Sequence, residues 1–144
     1  MKVEAMLAAK GDKVVTARPD AAITTIVRML KLEGIGALVI SEDGEEILGI
    51  ISERDVVRAL VEHGGEVLKM KAADLMTRSV KTCAPEVNIR DVMAEMTRSR
   101  VRHLPVVRGG KLCGIISIGD VVKNRLEELE TETSVLRDYI VGRG

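Results

Sequence analysis

Two four-residue signals in this sequence have the types and spacing to do chemistry: Ser52-Glu53-Arg54-Asp55 and Ser117-Ile118-Gly119-Asp120. Each follows Gly-Ile-Ile and precedes Val-Val and a basic residue. An apolar run giving way to Ser-x-x-Asp predicts a strand that ends where a helix begins. Free amides and the positive end of the helix dipole meet there and attract phosphate. The Ser hydroxyl adds a donor, and the Asp one turn on offers two acceptor oxygens to a vicinal diol. Hydrogen bonds to a charged acceptor contribute about 1.5 to 3 kcal/mol each. A ribose 5'-phosphate satisfies all of these groups. The same spacing also makes a plain helix cap, in which Ser accepts from the third amide and the carboxylate reaches back. Asp is shorter than the Glu or Gln usual in that box, and the residues alone leave both readings open.

Other chemistry lacks its residues. Cys83 and Cys113 are isolated thiols in no C-x-x-C arrangement, and His63 and His103 stand at no metal-ligand spacing from them, so no metal site is expected. There is no Gly-x-x-x-x-Gly-Lys-Ser/Thr loop, "GIGALV" lacks the third glycine of a dinucleotide fingerprint, and no Ser-His-Asp or Cys-His set can be assembled. The 22 basic and 22 acidic residues cancel, which argues against a general polyanion binder. Tyr139 is the one aromatic residue, so the core must be aliphatic and bases have no rings to stack on; nucleic acid is not an expected partner. No apolar run reaches the roughly 18 residues that cross a bilayer, and "MKVEAMLAAK" is too short and too charged for a signal peptide. The expectation is a cytoplasmic protein with reduced cysteines and no membrane partner.

The two junctions end longer matching segments. Thr16, Pro19, Asp20 and Ile23 match Thr82, Pro85, Glu86 and Ile89 at an offset of 66, and the Gly-Ile-Ile-Ser runs match at 65. A whole unit is duplicated. In each copy a short strand, "KVVTA" or "SVKTC", leads to a Pro-acidic pair that turns the chain and opens a helix. Ile23, Ile26, Val27 and Leu30 recur at helical spacing, and so do Ile89, Val92, Met93 and Met96. Then "GALVI" or "RHLPVV", a turn at "EDGEE" or "RGGK", and "ILGIIS" or "LCGIIS" predict a hairpin, one residue shorter at its tip in the second copy. The helical period returns after Ser52 and after Ser117.

Each copy is therefore β-α-β-β-α, and two copies packed with pseudo-twofold symmetry give an α/β fold that buries faces neither could bury alone. A chain of 144 residues has the size of a single domain with one compact core. The expected division is 1–66, 67–126 and a helical extension over 127–144, with "AADLM" forming a short helical turn in the join.

With two such units, each ending Gly-hydrophobic-hydrophobic-Ser-x-x-Asp, and with "RHLPVV" in the second, the sequence resembles a pair of cystathionine β-synthase (CBS) domains, together a Bateman module. The resemblance runs from about Val3 to Leu126. It implies ligand sensing without chemistry on the ligand, adenosine compounds such as AMP, ADP, ATP or NAD(H) being held in two clefts between the units. It places Ser52 and Asp55 at the phosphate and ribose of one cleft, flanked by Ser79, Val80, Arg102 and Pro105 from the other unit. Ser117 and Asp120 would do the same in the second, flanked by Lys13, Val14 and Ala37, with His103 facing the phosphate.

The changed middle pair makes the clefts unequal. Arg54 offers a guanidinium to phosphate, whereas Ile118 and Gly119 offer none, although Gly119 would let backbone amides approach closely. Arg54 also has a plain reading, as an exposed helix residue paired with Glu53 or Glu62, and His103 has one as a strand histidine satisfied by backbone. The run of Arg98, Arg100, Arg102 and Arg108 is better explained by a ligand phosphate than by a solvated face.

Beyond Asp120 the stripe Val122, Leu126, Leu129, Thr133, Leu136 and Ile140 steps by four and three, as in a heptad seam. A helix so marked either folds back on its own disc or pairs in a homodimer, and pairing is the expectation. Taken together, the residues point to an adenine-nucleotide sensor acting on a separate effector protein. The alternatives are a dimerisation module whose Ser-x-x-Asp sequences are only caps, and an enzyme acting on nucleotides.

Overall fold

The computed structural model describes residues 1–11 and 13–141. In chain order the elements are α1 (Val3–Lys10), β1 (Thr16–Ala17), α2 (Ile23–Glu33), β2 (Ala37–Ile40), β3 (Gly49–Ser52), α3 (Glu53–His63), a 3-10 segment (Gly64–Lys69), α4 (Ala72–Leu75), α5 (Ile89–Ser99), β4 (His103–Arg108), β5 (Lys111–Ser117) and α6 (Ile118–Ile140). The β-α-β-β-α order is complete in the first copy, and the second follows it with its opening strand reduced to a bridge.

Both hairpins form where apolar runs flank a polar turn. β2 and β3 pair antiparallel from Ala37↔Ser52 to Ile40↔Gly49, and β4 and β5 pair from His103↔Ser117 to Arg108↔Lys111, with a bulge between Val106 and Val107. The shorter tip turns on Gly109 and Gly110, whose φ values of 57° and 80° suit a two-residue hairpin loop. The opening strands are shorter than expected. β1 retains two residues, parallel to β2, and its counterpart in the second copy is a single bridge from Cys83 to Val106. In that copy Ser79, Val80 and Lys81 leave the ladder to line a cleft.

The core is in two parts rather than one. Ile23, Ile26, Leu38, Ile40 and Ile51 are fully buried in the first, and Leu104, Val106, Ile116 and Val121 in the second. Neither part follows the division at residue 66. Val67, Ala72 and Met76 complete the first core from beyond that point, and Val3, Met6 and Leu7 of α1 complete the second from the start of the chain. The repeat thus includes a leading helix. Ile23 N–H donates to the Met70 carbonyl (2.8 Å) and Ile89 N–H to the Met1 carbonyl (2.9 Å). Ala73 N–H donates to Pro19 and Glu4 N–H to Pro85, each at 2.9 Å. α1 and α4 are therefore counterparts, but α1 has eight residues and α4 has four.

α6, capped by Ser117, continues for 23 residues. Val121 and Asn124 are its buried positions, whereas Leu126, Leu129, Leu136, Tyr139 and Ile140 are exposed, Tyr139 at 76%. Over its described residues the extension does not fold back onto its own units.

Candidate functional site

The first strand-to-helix junction is a complete capping box. Asp55 N–H donates to Ser52 Oγ at 3.3 Å, and Asp55 Oδ2 accepts from Ser52 N–H at 2.8 Å and from Ser52 Oγ at 3.0 Å. The shorter Asp does reach back, because the strand delivers Ser52 in extended conformation beside the first turn of α3. Capping uses one carboxylate oxygen. The other, Oδ1, has the Arg58 guanidinium at 3.9 Å and is left for an incoming donor.

Above this junction lies a cleft of about 280 Å³, with both units in its walls. Ser52, Arg54 and Asp55 line it from the first unit, and Ser79, Val80 and Arg102 face them from the second. These six are the residues expected there. Pro105 is not in the lining; it is buried inside β4, opposite Ile115. Ala37 and His103, expected in the other cleft, line this one, because Ala37 pairs across the hairpin with Ser52 and His103 enters from the start of β4. Arg54 forms no ion pair with Glu53 or Glu62 among the described residues, and Glu62 pairs with His63 instead. Arg58, Lys81 and Arg100 join Arg54 and Arg102 in the lining, against the acids Glu53 and Asp55. The lining therefore carries a cationic excess. Arg98 and Arg108 are spent elsewhere, on Glu95 and Glu4.

The second junction repeats the box and then departs from it. Asp120 N–H donates to Ser117 Oγ at 3.1 Å, and Asp120 Oδ2 accepts from Ser117 N–H at 2.9 Å. The same Oδ2 also accepts from Lys10 Nζ at 2.6 Å, and Lys10 Nζ donates to the Ile115 carbonyl at 3.0 Å. Burial pushes the Asp120 carboxyl up, but the Lys10 bond and the Ser117 hydrogen bonds outweigh it and hold the group below its ordinary value. Lys13 is exposed and pairs with Glu33 at 3.5 Å; Val14 is half-buried. Ile118 packs against the second core, and Gly119 is exposed.

A family model for the CBS domain matches residues 10–62 and again residues 72–127. The chain belongs to the CBS domain family. It is 35% identical over 127 residues to the mitochondrial CBS domain-containing protein CBSX3 of Arabidopsis thaliana, an alignment covering 85% of this chain and 62% of that one. The chain thus spans about three-fifths of that relative's length. Among solved structures it resembles the CBS-domain containing protein ATU1752 from Agrobacterium tumefaciens, with a TM-score of 0.84, 40% identity, and 87% and 99% of the two chains covered. The CBS domain pair of protein MJ0100, solved with methylthioadenosine and S-adenosyl-L-methionine, shares the fold at a TM-score of 0.79 and 22% identity, with 89% and 98% covered.

Within the CBS pair, His103 stands where the two junctions approach each other. Its half-buried ring lies within 3.3 Å of where a side chain on Gly36 would begin. Burial lowers its pKa below the ordinary 6.5; Asp120 and Glu53 pull upward, and Lys10 and Arg102 add to the lowering. Imidazole is therefore the favoured form at neutral pH. Burial and the nearby Cys113 push the Cys83 thiol up to about 11, so it holds its proton and makes a poor nucleophile. No group of three His, Cys, Asp or Glu side chains suited to a metal occurs among the described residues, and no described helix is long and apolar enough to cross a membrane.

Sequence reasoning missed Lys10, Arg58 and Lys81. The first was findable, since Val3, Met6 and Leu7 stand at helical spacing and predict a helix whose last turn ends in Lys10.

Proposed function

We propose that this CBS pair is a regulatory module that binds an adenine nucleotide over Asp55 and signals its occupancy to a separate effector protein. AMP, ADP, ATP and NAD(H) are the candidate ligands. One observation carries the reading: an open cleft in which a capped carboxylate keeps one oxygen outside its cap, 3.9 Å from Arg58, while Arg54, Lys81, Arg100 and Arg102 join Arg58 in the lining. A diol suits the first and phosphoryl oxygens suit the second. The ligands held by the MJ0100 domain pair, both adenosine compounds, support the class. Net positive lining favours phosphate-bearing members over the cationic sulfonium compound. The exposed stripe on α6 supports pairing with a second copy, and the free thiols Cys83 and Cys113 suit a reducing compartment such as the cytoplasm.

The test is a thermal-shift panel with AMP, ADP, ATP, NAD, NADH and S-adenosylmethionine, followed by calorimetry. A ligand at a hundredfold its dissociation constant stabilises the fold by about 2.7 kcal/mol. The two complete capping boxes favour a second reading, a dimerisation module in which Ser52 and Asp55 only cap α3. A panel without any shift selects that reading, and product analysis after incubation with the tightest compound separates sensing from catalysis.

A further inference from the structure

The two copies differ where the leading helix meets the last strand. In the first copy the chain leaves α4 after one turn, and Thr77 N–H donates to the Ile50 carbonyl at 2.9 Å. The counterpart of that segment in the second copy is still helical, so its backbone donors are committed to α1 itself. The Lys10 ammonium fills the gap: it bonds the Ile115 carbonyl, the counterpart of Ile50, and reaches on to Asp120. The pair is shielded, with side-chain exposures of 33% and 24%. Asp55, by contrast, has only the distant Arg58.

We propose that Lys10, seated on the capping oxygen Oδ2, neutralises the Asp120 carboxylate that sugar hydroxyls would use, so that the chain binds one adenine nucleotide, over Asp55, and admits a second only when the end of α1 withdraws. The proposal rests on the nucleotide reading of the Asp55 cleft. A neutral diol brings no charge to a carboxylate, whereas the ammonium brings a full charge with its one bond to Asp120 and is held in place by a second bond to Ile115. Displacing it leaves a cation without its partner in a half-buried place, a cost the ligand must meet from its other contacts. Withdrawal is further opposed by Val3, Met6 and Leu7, which anchor α1 in the second core.

Calorimetric titration with ATP tests this on the full chain and on Asp55→Ala, Asp120→Ala, Lys10→Met and the Lys10→Met/Asp120→Ala pair. The wild type should bind one equivalent, lost in Asp55→Ala and kept in Asp120→Ala. Lys10→Met should bind two, and the double variant one again. A wild type that binds two equivalents and loses one in Asp120→Ala overturns the proposal while leaving the nucleotide reading intact, and this comparison needs no Lys10 variant to fold. So does a Lys10→Met protein that keeps its first site at unchanged affinity and gains no second. Absence of binding in wild type and Lys10→Met alike, with ATP and with AMP, ADP, NAD and NADH in its place, overturns the nucleotide reading, and the proposal with it.

Discussion

Arg100 ends α5 with a φ of 56°, the conformation that Gly34 adopts at the matching end of α2 with a φ of 62°. A side chain costs about 1 to 2 kcal/mol there, and Arg100 lines the Asp55 cleft. Arg100→Gly should therefore raise stability by roughly 1 kcal/mol in urea unfolding while weakening nucleotide binding, two effects of opposite sign that a purely structural arginine would not produce. Asp55→Ala should abolish binding at that cleft and cost only about 1 kcal/mol as a lost cap. His103 gives a pH signature. Its folded pKa lies below 6.5, so as pH falls through 6.5 the unfolded chain takes up a proton the folded chain refuses. Stability from this group is fully present above 6.5, declines below it, and levels off once the folded value is passed; a pH series of urea midpoints should show the slope in wild type and not in His103→Asn. The two Ser-x-x-Asp junctions were legible because type and spacing fix a junction, whereas Ser79, Val80 and Arg102 could be set opposite Asp55 only through the family resemblance. Which cleft Ala37 and His103 serve was not legible, because the hairpin register that decides it is set across strands.

At the level of elements, the repeat fixed the order of helices and hairpins, since Ile23 to Leu30 and Ile89 to Met96 repeat one helical face. Of the two leading helices, α4 was expected as the helical turn at "AADLM", whereas α1 escaped notice because the copies differ in length, eight residues against four, and so break the offset that reveals the rest. Both are nonetheless seated by a glycine. A Cβ on Gly49 would lie 2.6 Å from Met76 Sδ, and one on Gly114 would lie 2.7 Å from Leu7 Cδ1. Gly114→Ala should cost about 1 to 3 kcal/mol by overpacking, and Leu7→Ala in the same chain should recover part of it, a coupling measurable by a double-mutant cycle in urea.

For the whole molecule, the crossing of α1 into the second core makes the halves interdependent. A chain beginning at Lys13 loses Val3, Met6 and Leu7, each worth about 1.5 to 3 kcal/mol when fully buried, and should melt far below the intact protein in calorimetry. The α6 stripe sets the other long-range expectation: Leu126→Glu with Leu129→Glu should convert a dimer to monomer in sedimentation velocity without shifting the urea midpoint of the units, because both positions are already exposed. Tyr139, exposed near the tip of that helix, has one more consequence. With no tryptophan or phenylalanine in the chain, nearly all ultraviolet emission comes from this single phenol, far from the crevices. The protein carries its own optical probe of tail association, and adenine absorbance can be followed against almost no aromatic background.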